Sequence, residues 1–358
     1  MADGIRPCIR EDFAQITNLY NKIFLRKKSG RSGNLQQYLE QAYLENPWAS
    51  ERFPSLVSEK GGKIDGFLGV IPQKMQFRGS QITSAVSSVL MVAKDHSGKR
   101  NPITGVSLLR RFLQGDQDLS LTDTANEITR KIWTGSGGSI AHPYSYTWIR
   151  LLKPLNACLD IGLKSDNLKR ILSPLLKVGD AVLRRLPPVK PKPTDCEITD
   201  ITVSKLLELN QQVPRRALMP DYDLKSLAWL VEMAEQSETE GPLTKRMVRS
   251  QSGTVLGWFV YYRSRNATGR VLQLVGLGNS FELVLDSLIH DASKHGLNAL
   301  WGRTEPGQNK LLTNKHCVFK GTPWVLVHSQ QQEIVDAFQR ADALFTGFDG
   351  EHWMKTNA

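Results

Sequence analysis

Arg100, Asn101, Pro102, Thr104 and Gly105 stand where a polar loop turns into a helix, and residues of these types at such a place can hold a phosphate. A helix start carries unpaired backbone N–H groups and the positive end of the peptide dipole, so an anion binds there with few side chains. Pro102 suits the first turn, because its missing N–H has no helical partner anyway. Gly105, without a Cβ, lets a bulky anion approach the backbone. A second set is acidic: Asp123 stands between Thr122 and Thr124, with Glu127 and His142 behind it. A carboxylate or imidazole placed there can act as a general base, and Asp123 can equally cap a helix that begins near Asn126.

The elements that must position these groups follow from periodicity. Residues 85–92 read as a buried strand, and Ile103, Val106, Leu109, Phe112 and Leu113 lie at helical spacing after the loop. Residues 118–121 form the next expected strand, which delivers Thr122, Asp123 and Thr124 to the carboxyl end of the sheet. A short helix over 126–133 follows, and Gly135 to Gly138 end it. Upstream, 5–10 is a strand, and Phe13, Ile16, Leu19, Tyr20 and Ile23 mark one face of a helix. A second helix spans 35–44, and three antiparallel strands turn at Gly61-Gly62 and at Arg78-Gly79-Ser80.

This order resembles the GNAT acyltransferase family, whose acyl-CoA loop follows the pattern Arg-x-x-Gly-x-Gly/Ala. Aligned on Leu108 and Leu109, Arg100 falls on the family's Arg and Gly105 on its last Gly. Asn101, Pro102 and Ile103 stand where Gly is commoner, and the loop is about three residues longer than usual. The resemblance implies that acetyl-CoA or another acyl-CoA binds along Met91, Val92, Arg100, Asn101, Pro102, Thr104 and Gly105, with a backbone N–H near Met91 or Val92 polarising the thioester. The family's Asn-x-x-Ala-x-x-x-Tyr-x-x-x-Gly run is met by Asn126, Thr129, Trp133 and Gly137. Asn126 then lies near the pantetheine arm. Trp133 replaces the Tyr that protonates the leaving thiolate, and an indole N–H is no proton source. With no acid on the strand 87–92, Asp123 becomes the candidate base, with Glu127 and His142 behind it.

The second half repeats the element order. A strand begins at 198–201, helices follow at 203–211 and 224–235, and a hairpin turns at Ser252-Gly253. A strand at 270–276 leads to Phe281, Val284, Leu285, Leu288, Ile289 and Ala292 at helical spacing, then a strand at 299–303. The GLGNS connection is short and lacks an Arg-x-x-Gly equivalent. The expected architecture is therefore α/β (α+β): two tandem GNAT-like domains, each a mixed, mostly antiparallel sheet flanked by helices, an arrangement like that of the Fem-type transferases. Residues 1–150 form the acyl-CoA-binding domain, 151–194 a basic helical and Pro-rich linker, and 195–358 the second, degenerate domain. PPVKPKP at 187–193 is the stiff connector.

The 358 residues suit two domains, and the composition, 40% hydrophobic and 23% charged, is that of a globular protein. The net charge of +11 is lopsided: residues 1–190 hold 28 Lys and Arg against 16 Asp and Glu, and residues 191–358 hold 18 against 19. The excess thus lies in the half with the phosphate loop, where it attracts polyanions. No zinc finger, RNP pattern or long basic run points to nucleic acid. The basic stretch with Lys164, Lys169, Arg170, Lys177, Arg184 and Arg185 is broken at Pro174, which favours a packed linker helix over membrane contact. No stretch reaches spanning length and the first residues lack a secretion signal, so the cytoplasm is expected. Cys8, Cys158, Cys196 and Cys317 show no metal or disulfide spacing, and no metal is expected. No G-x-S-x-G, H-E-x-x-H or P-loop pattern occurs. Two readings remain: an acyl-CoA-dependent N-acyltransferase on a small amine or amino sugar, with a Fem-like aminoacyl transferase as its variant, and a non-catalytic tandem scaffold that binds CoA.

Overall fold

A computed structural model describes residues 4–25, 32–94, 101–162, 176–177, 179–183, 195–236, 240–264, 268–321 and 323–354. Arg100, Pro174, the segment 187–193 and most of the basic stretch lie outside the described residues.

The first half opens with β1 (Gly4–Pro7), α1 (Phe13–Tyr20) and α2 (Ser32–Tyr43). The antiparallel run is β2 (Leu56–Lys60), β3 (Lys63–Phe77) and β4 (Ser80–Val92). Its tight turns have paired positive φ values, 56° and 74° at Gly61 and Gly62, 50° and 85° at Arg78 and Gly79. Such turns match the right-handed twist of the strands, which is why Gly recurs in both. Then α3 (Pro102–Leu113) crosses to β5 (Leu119–Ala125), parallel to β4, and α4 (Glu127–Thr134) follows. Leu108, Leu109, Phe112 and Leu113 of α3 bury themselves with Leu68 and Val70 on one face of the sheet. Phe13, Ile16, Leu39 and Tyr43 of α1 and α2 pack with Phe67 and Ile71 on the other.

The chain continues through β6 (Ser139–Ile140), β7 (Tyr146–Leu151) and α5 (Pro154–Gly162) into the second half. There β8 (Glu197–Asp200), α6 (Val203–Asn210), β9 (Leu218–Pro220) and α7 (Leu224–Glu235) precede the hairpin of β10 (Leu243–Arg249) and β11 (Val255–Arg263). Strand β12 (Thr268–Gly276) leads through α8 (Phe281–Lys294) to its parallel neighbour β13 (Ala299–Arg303). Elements α9 (Asn309–Asn314), β14 (Val318–Gly321), β15 (Trp324–His328) and α10 (Gln332–Gln339) complete the set.

The first sheet runs β1-β2-β3-β4-β5-β15-β6 with β9 beside β3, and the second runs β14-β7-β13-β12-β11-β10-β8. Each has one parallel pair, β4 with β5 and β12 with β13, among antiparallel neighbours. The halves exchange strands: β15 pairs with β5 in the first sheet, and β7 lies between β13 and β14 in the second. A divide in the sequence at 151–194 is therefore crossed by hydrogen bonds in both directions. Among the described residues no helix is long and apolar enough to cross a membrane, and no group of His, Cys, Asp or Glu has a metal-holding arrangement.

Candidate active site

Strands β4 and β5 pair only at Ser84 with Leu119, Ala85 with Ser120 and Val86 with Leu121, then diverge. On its other edge β4 carries a bulge, because Ser88 faces Gly69 and Met91 faces Phe67, leaving Val89 and Leu90 opposite Leu68 alone. Val89 takes φ 50°, a left-handed conformation that costs a β-branched residue about 1–3 kcal/mol. The bulge turns backbone into the wedge between the strands, where a cavity of about 370 Å³ opens. Ser87, Val89 and Leu90 of β4 line it, with Thr122, Thr124 and Ala125 of β5 and Asn126 and Thr129 at the start of α4. Phe24 adds to the lining; the second half contributes Arg270, Trp301, Pro323, Glu351 and His352.

Glu351 is the acid in this wedge, and it comes from the last described segment of the chain. Its carboxylate accepts from the Thr122 hydroxyl at 2.7 Å, and also from the Thr124 hydroxyl and the Val89 backbone N–H. Only 3% of it is exposed. Burial, reinforced by the charge of Asp123, pushes its carboxyl up to about 7. Tertiary bonds hold the segment in place. The Gly347 N–H donates to Leu272 O at 2.8 Å, Tyr222 donates to Asp349, and the Tyr262 hydroxyl donates to the Trp353 carbonyl at 2.9 Å. A Cβ on Gly350 would meet Asp123 Oδ2 at 2.1 Å, so only glycine lets the backbone pass that carboxylate.

Asp123 lies beneath, wholly buried, and does not line the cavity. It is paired with Arg303, accepts the Glu351 N–H at 2.7 Å, and lies 2.8 Å from His352 Nδ1. Burial opposes its charge, but Arg303 and the hydrogen bonds around it win and hold its carboxyl far below the usual range. A base needs a pKa near the working pH, so Asp123 is better fitted to position Glu351 than to take a proton. Burial and Arg303 lower the His352 imidazole below its ordinary value, against the opposing pull of Asp123.

The other expected site residues are spread more widely. Met91 is buried and Val92 half-buried, and neither lines the cavity; the bulge brings Val89 and Leu90 to it instead. Asn101 caps α3, its Oδ1 accepting from the Ile103 N–H at 3.0 Å, and Pro102 takes the first turn. Thr104 and Gly105 are buried on α3, and the place of a Gly105 Cβ lies 3.4 Å from Val92. The start of α3 thus adjoins the end of β4, and none of its residues lines the cavity. Asn126 lines the cavity and caps α4, accepting from the Ile128 and Thr129 N–H groups at 3.0 Å. Glu127 is exposed and paired with Arg130, and His142 is exposed against the Trp324 ring; neither lines the cavity.

Trp133 is fully buried beside Phe112, donates to Val327 O at 3.3 Å, and does not line the cavity. Trp133→Tyr is therefore expected to destabilise the protein by about 1–3 kcal/mol through the void it leaves, with no gain in turnover. Melting and thiol release measured on one preparation check both. None of the four cysteines lines the cavity, and burial pushes the Cys8 thiol well up and the Cys317 thiol up to about 12, so a covalent thiol route has no support here.

The second half carries the same construction, with its wedge filled. Strands β12 and β13 pair over Thr268–Val271 and then part, and Leu272 is the extra residue of a bulge against Val260 and Tyr261. Gly347 occupies the gap, bonded to Leu272 O. Gly276 packs on the backbone of Phe281 at the start of α8, where a Cβ would meet it at 2.4 Å. Sequence reasoning did not find Glu351, His352, Arg270 or Trp301. A signal was present in Phe348-Asp349-Gly350-Glu351-His352-Trp353, where three titratable residues and a glycine sit among aromatics.

Compared by sequence, the chain matches no family model and no curated protein. Solved structures do match. A probable N-acyltransferase from Enterococcus faecalis V583 aligns over 92% of this chain and 73% of its own at 10% identity, TM-score 0.59. A GCN5-related N-acetyltransferase from Anabaena variabilis aligns over the same shares at 12% identity, TM-score 0.59. N-myristoyltransferase of Saccharomyces cerevisiae, with bound myristoyl-CoA, aligns over 92% of this chain and 80% of its own at 12% identity, TM-score 0.52. The chain has the GNAT fold, in a tandem arrangement of two mixed sheets flanked by helices.

Proposed function

We propose that the chain is an acyl-CoA-dependent N-acyltransferase that moves the acyl group directly to a small amine. The observation that carries this reading is Glu351: a buried carboxyl pushed up to about 7, set in the wedge between β4 and β5. The start of α3, with its N–H groups and dipole, receives the CoA phosphates. The arm then enters the wedge, where β4 beyond Val86 is no longer bonded to β5 and offers N–H groups to the thioester carbonyl. Glu351 takes the proton of the amine as it attacks, held by Thr122, Thr124 and Val89. Asp123 fixes the Glu351 backbone from below and raises its basicity by like charge. Structural neighbours that are acyltransferases, one with myristoyl-CoA bound, support the same class.

The test is calorimetry with acetyl-CoA, myristoyl-CoA and free CoA, followed by thiol release across an amine panel. Gly105→Asp places bulk and negative charge at the helix start and is expected to weaken acyl-CoA binding about tenfold or more in a folded protein. Unchanged affinity in that variant removes the α3 site. Binding without thiol release from any amine leaves the non-catalytic CoA-binding scaffold as the reading.

A further inference from the structure

A second cavity, of about 450 Å³, opens on the face of the first sheet that α1 covers. Lys22 follows α1, Lys63 opens β3 and Lys94 lies just beyond β4, and the three converge on this cavity beside Gln15 and Asn18 of α1. All three lysines are exposed to solvent. No Asp or Glu lines the cavity, and among the described residues none of the three lysines is ion-paired. Lys60 stands opposite Lys63 across the hairpin and adds to the positive charge, while its neighbour Glu59 is buried and paired with Arg6. Gln15 Oε1 accepts from the Ile64 N–H at 3.0 Å, which leaves the amide NH2 of Gln15 to donate. Cations gathered in one concave place without a carboxylate repel one another, and an anion set among them relieves that repulsion.

We infer that this cavity binds a phosphate group, and that the phosphate belongs to the acceptor amine. The inference rests on the transferase reading for the word acceptor; the phosphate site itself does not. Val92 faces α3, where the place of a Gly105 Cβ lies 3.4 Å from it, whereas Ala93 packs on the core beneath α1. The helix start proposed for the CoA phosphates is thus on the opposite face of the sheet, and the lysines take a different anion. The wedge is close by on their own face. Phe24, next in the chain to Lys22 and Ile23, lines it, and Val89, whose N–H meets Glu351, packs on the same core as Ala93. From Val89 to Ala93 the strand advances by at most about 13 Å. A small phosphorylated amine spans such a distance, with its nitrogen at Glu351 and its phosphate among Lys22, Lys63 and Lys94.

The test has two arms. In the first, calorimetry measures inorganic pyrophosphate and acetyl-CoA on wild type, Gly105→Asp and the triple variant Lys22→Gln, Lys63→Gln, Lys94→Gln, with folding checked by melting. Pyrophosphate is expected to bind wild type, to keep its affinity within about twofold in G105D and to lose about tenfold or more in the triple variant. Acetyl-CoA is expected to show the reverse. Absence of pyrophosphate binding, or binding that survives the triple variant, would overturn the inference. So would acetyl-CoA affinity that falls with the lysines, by assigning the cavity to the CoA phosphates. In the second arm, thiol release from acetyl-CoA compares phosphoethanolamine and glucosamine phosphate with ethanolamine and glucosamine. In at least one pair the phosphorylated amine is expected to have a kcat/KM about tenfold or more above its partner, the difference being lost in the triple variant. Equal kcat/KM within both pairs sinks the inference and leaves the transferase standing. Lysine-dependent pyrophosphate binding with no thiol release from any amine sinks the transferase and leaves the phosphate site standing.

Discussion

Glu351→Gln is expected to lower thiol release by about 10²- to 10⁴-fold under saturating acyl-CoA, because the amide keeps the shape of the base and removes its basicity. The same change is expected to stabilise the protein at alkaline pH. In the folded chain the Glu351 carboxyl is pushed from 4.5 up to about 7, so between those values the native state binds a proton that the unfolded state does not. That contribution is whole below 4.5 and is lost as pH rises through about 7. Gln, which never ionises, avoids the loss, and at pH 8 the variant should be more stable than wild type by roughly 1–3 kcal/mol, with the gap closing toward pH 5. Wild-type kcat/KM should rise with pH around a midpoint near 7, as a base of that pKa requires. Melting across pH and a pH–rate profile measure both effects. A rate unchanged in E351Q, or a profile flat through 7, removes Glu351 as the base.

Asp123→Asn is expected to do the opposite to stability. Asp123 is buried against Arg303 with its second oxygen on the Glu351 N–H, and removing one partner of such a pair leaves a buried cation uncompensated. The cost is about 3–5 kcal/mol. If Asp123 were only an exposed helix cap, the loss would stay near 1 kcal/mol, and the helix at this place is in fact capped by Asn126. The Asp123 charge also raises the Glu351 carboxyl, so whatever activity D123N retains should have its alkaline rise shifted to lower pH. Chemical denaturation and the pH profile separate the two effects. A variant as stable as wild type, with its pH midpoint unmoved, contradicts this account of Asp123.

Much of the scaffold was legible because its signals are local. Gly61-Gly62 and Arg78-Gly79 announce their hairpins through backbone conformations that few other residue pairs adopt. The apolar spacing of Phe281 to Ala292 marks α8, whose first and last turns fall at Phe281 and Lys294. Asn101 and Pro102 place the start of α3, because a cap and a first-turn proline act on their own neighbours. These short-range rules were enough for two halves of like order; a strand splayed from Ser87 onward was what the family resemblance implied.

They could not show which residues from afar fill that wedge. Glu351 reaches Asp123 across 228 residues of chain, and β15 joins β5 by exchange between the halves. Periodicity reports which face of an element is apolar, and says nothing of what will cover it. Asp123 and Trp133 show the consequence: their types and positions in the chain suggest an acid and a displaced Tyr, yet burial and partners make one an ion-paired support and the other core. The sequence by itself determined most of the elements as far as β13 and their order. Tertiary structure alone decided that the Glu351 carboxyl is raised and the Asp123 carboxyl held low, because burial and long-range charge set those properties and neither is written in neighbouring residues.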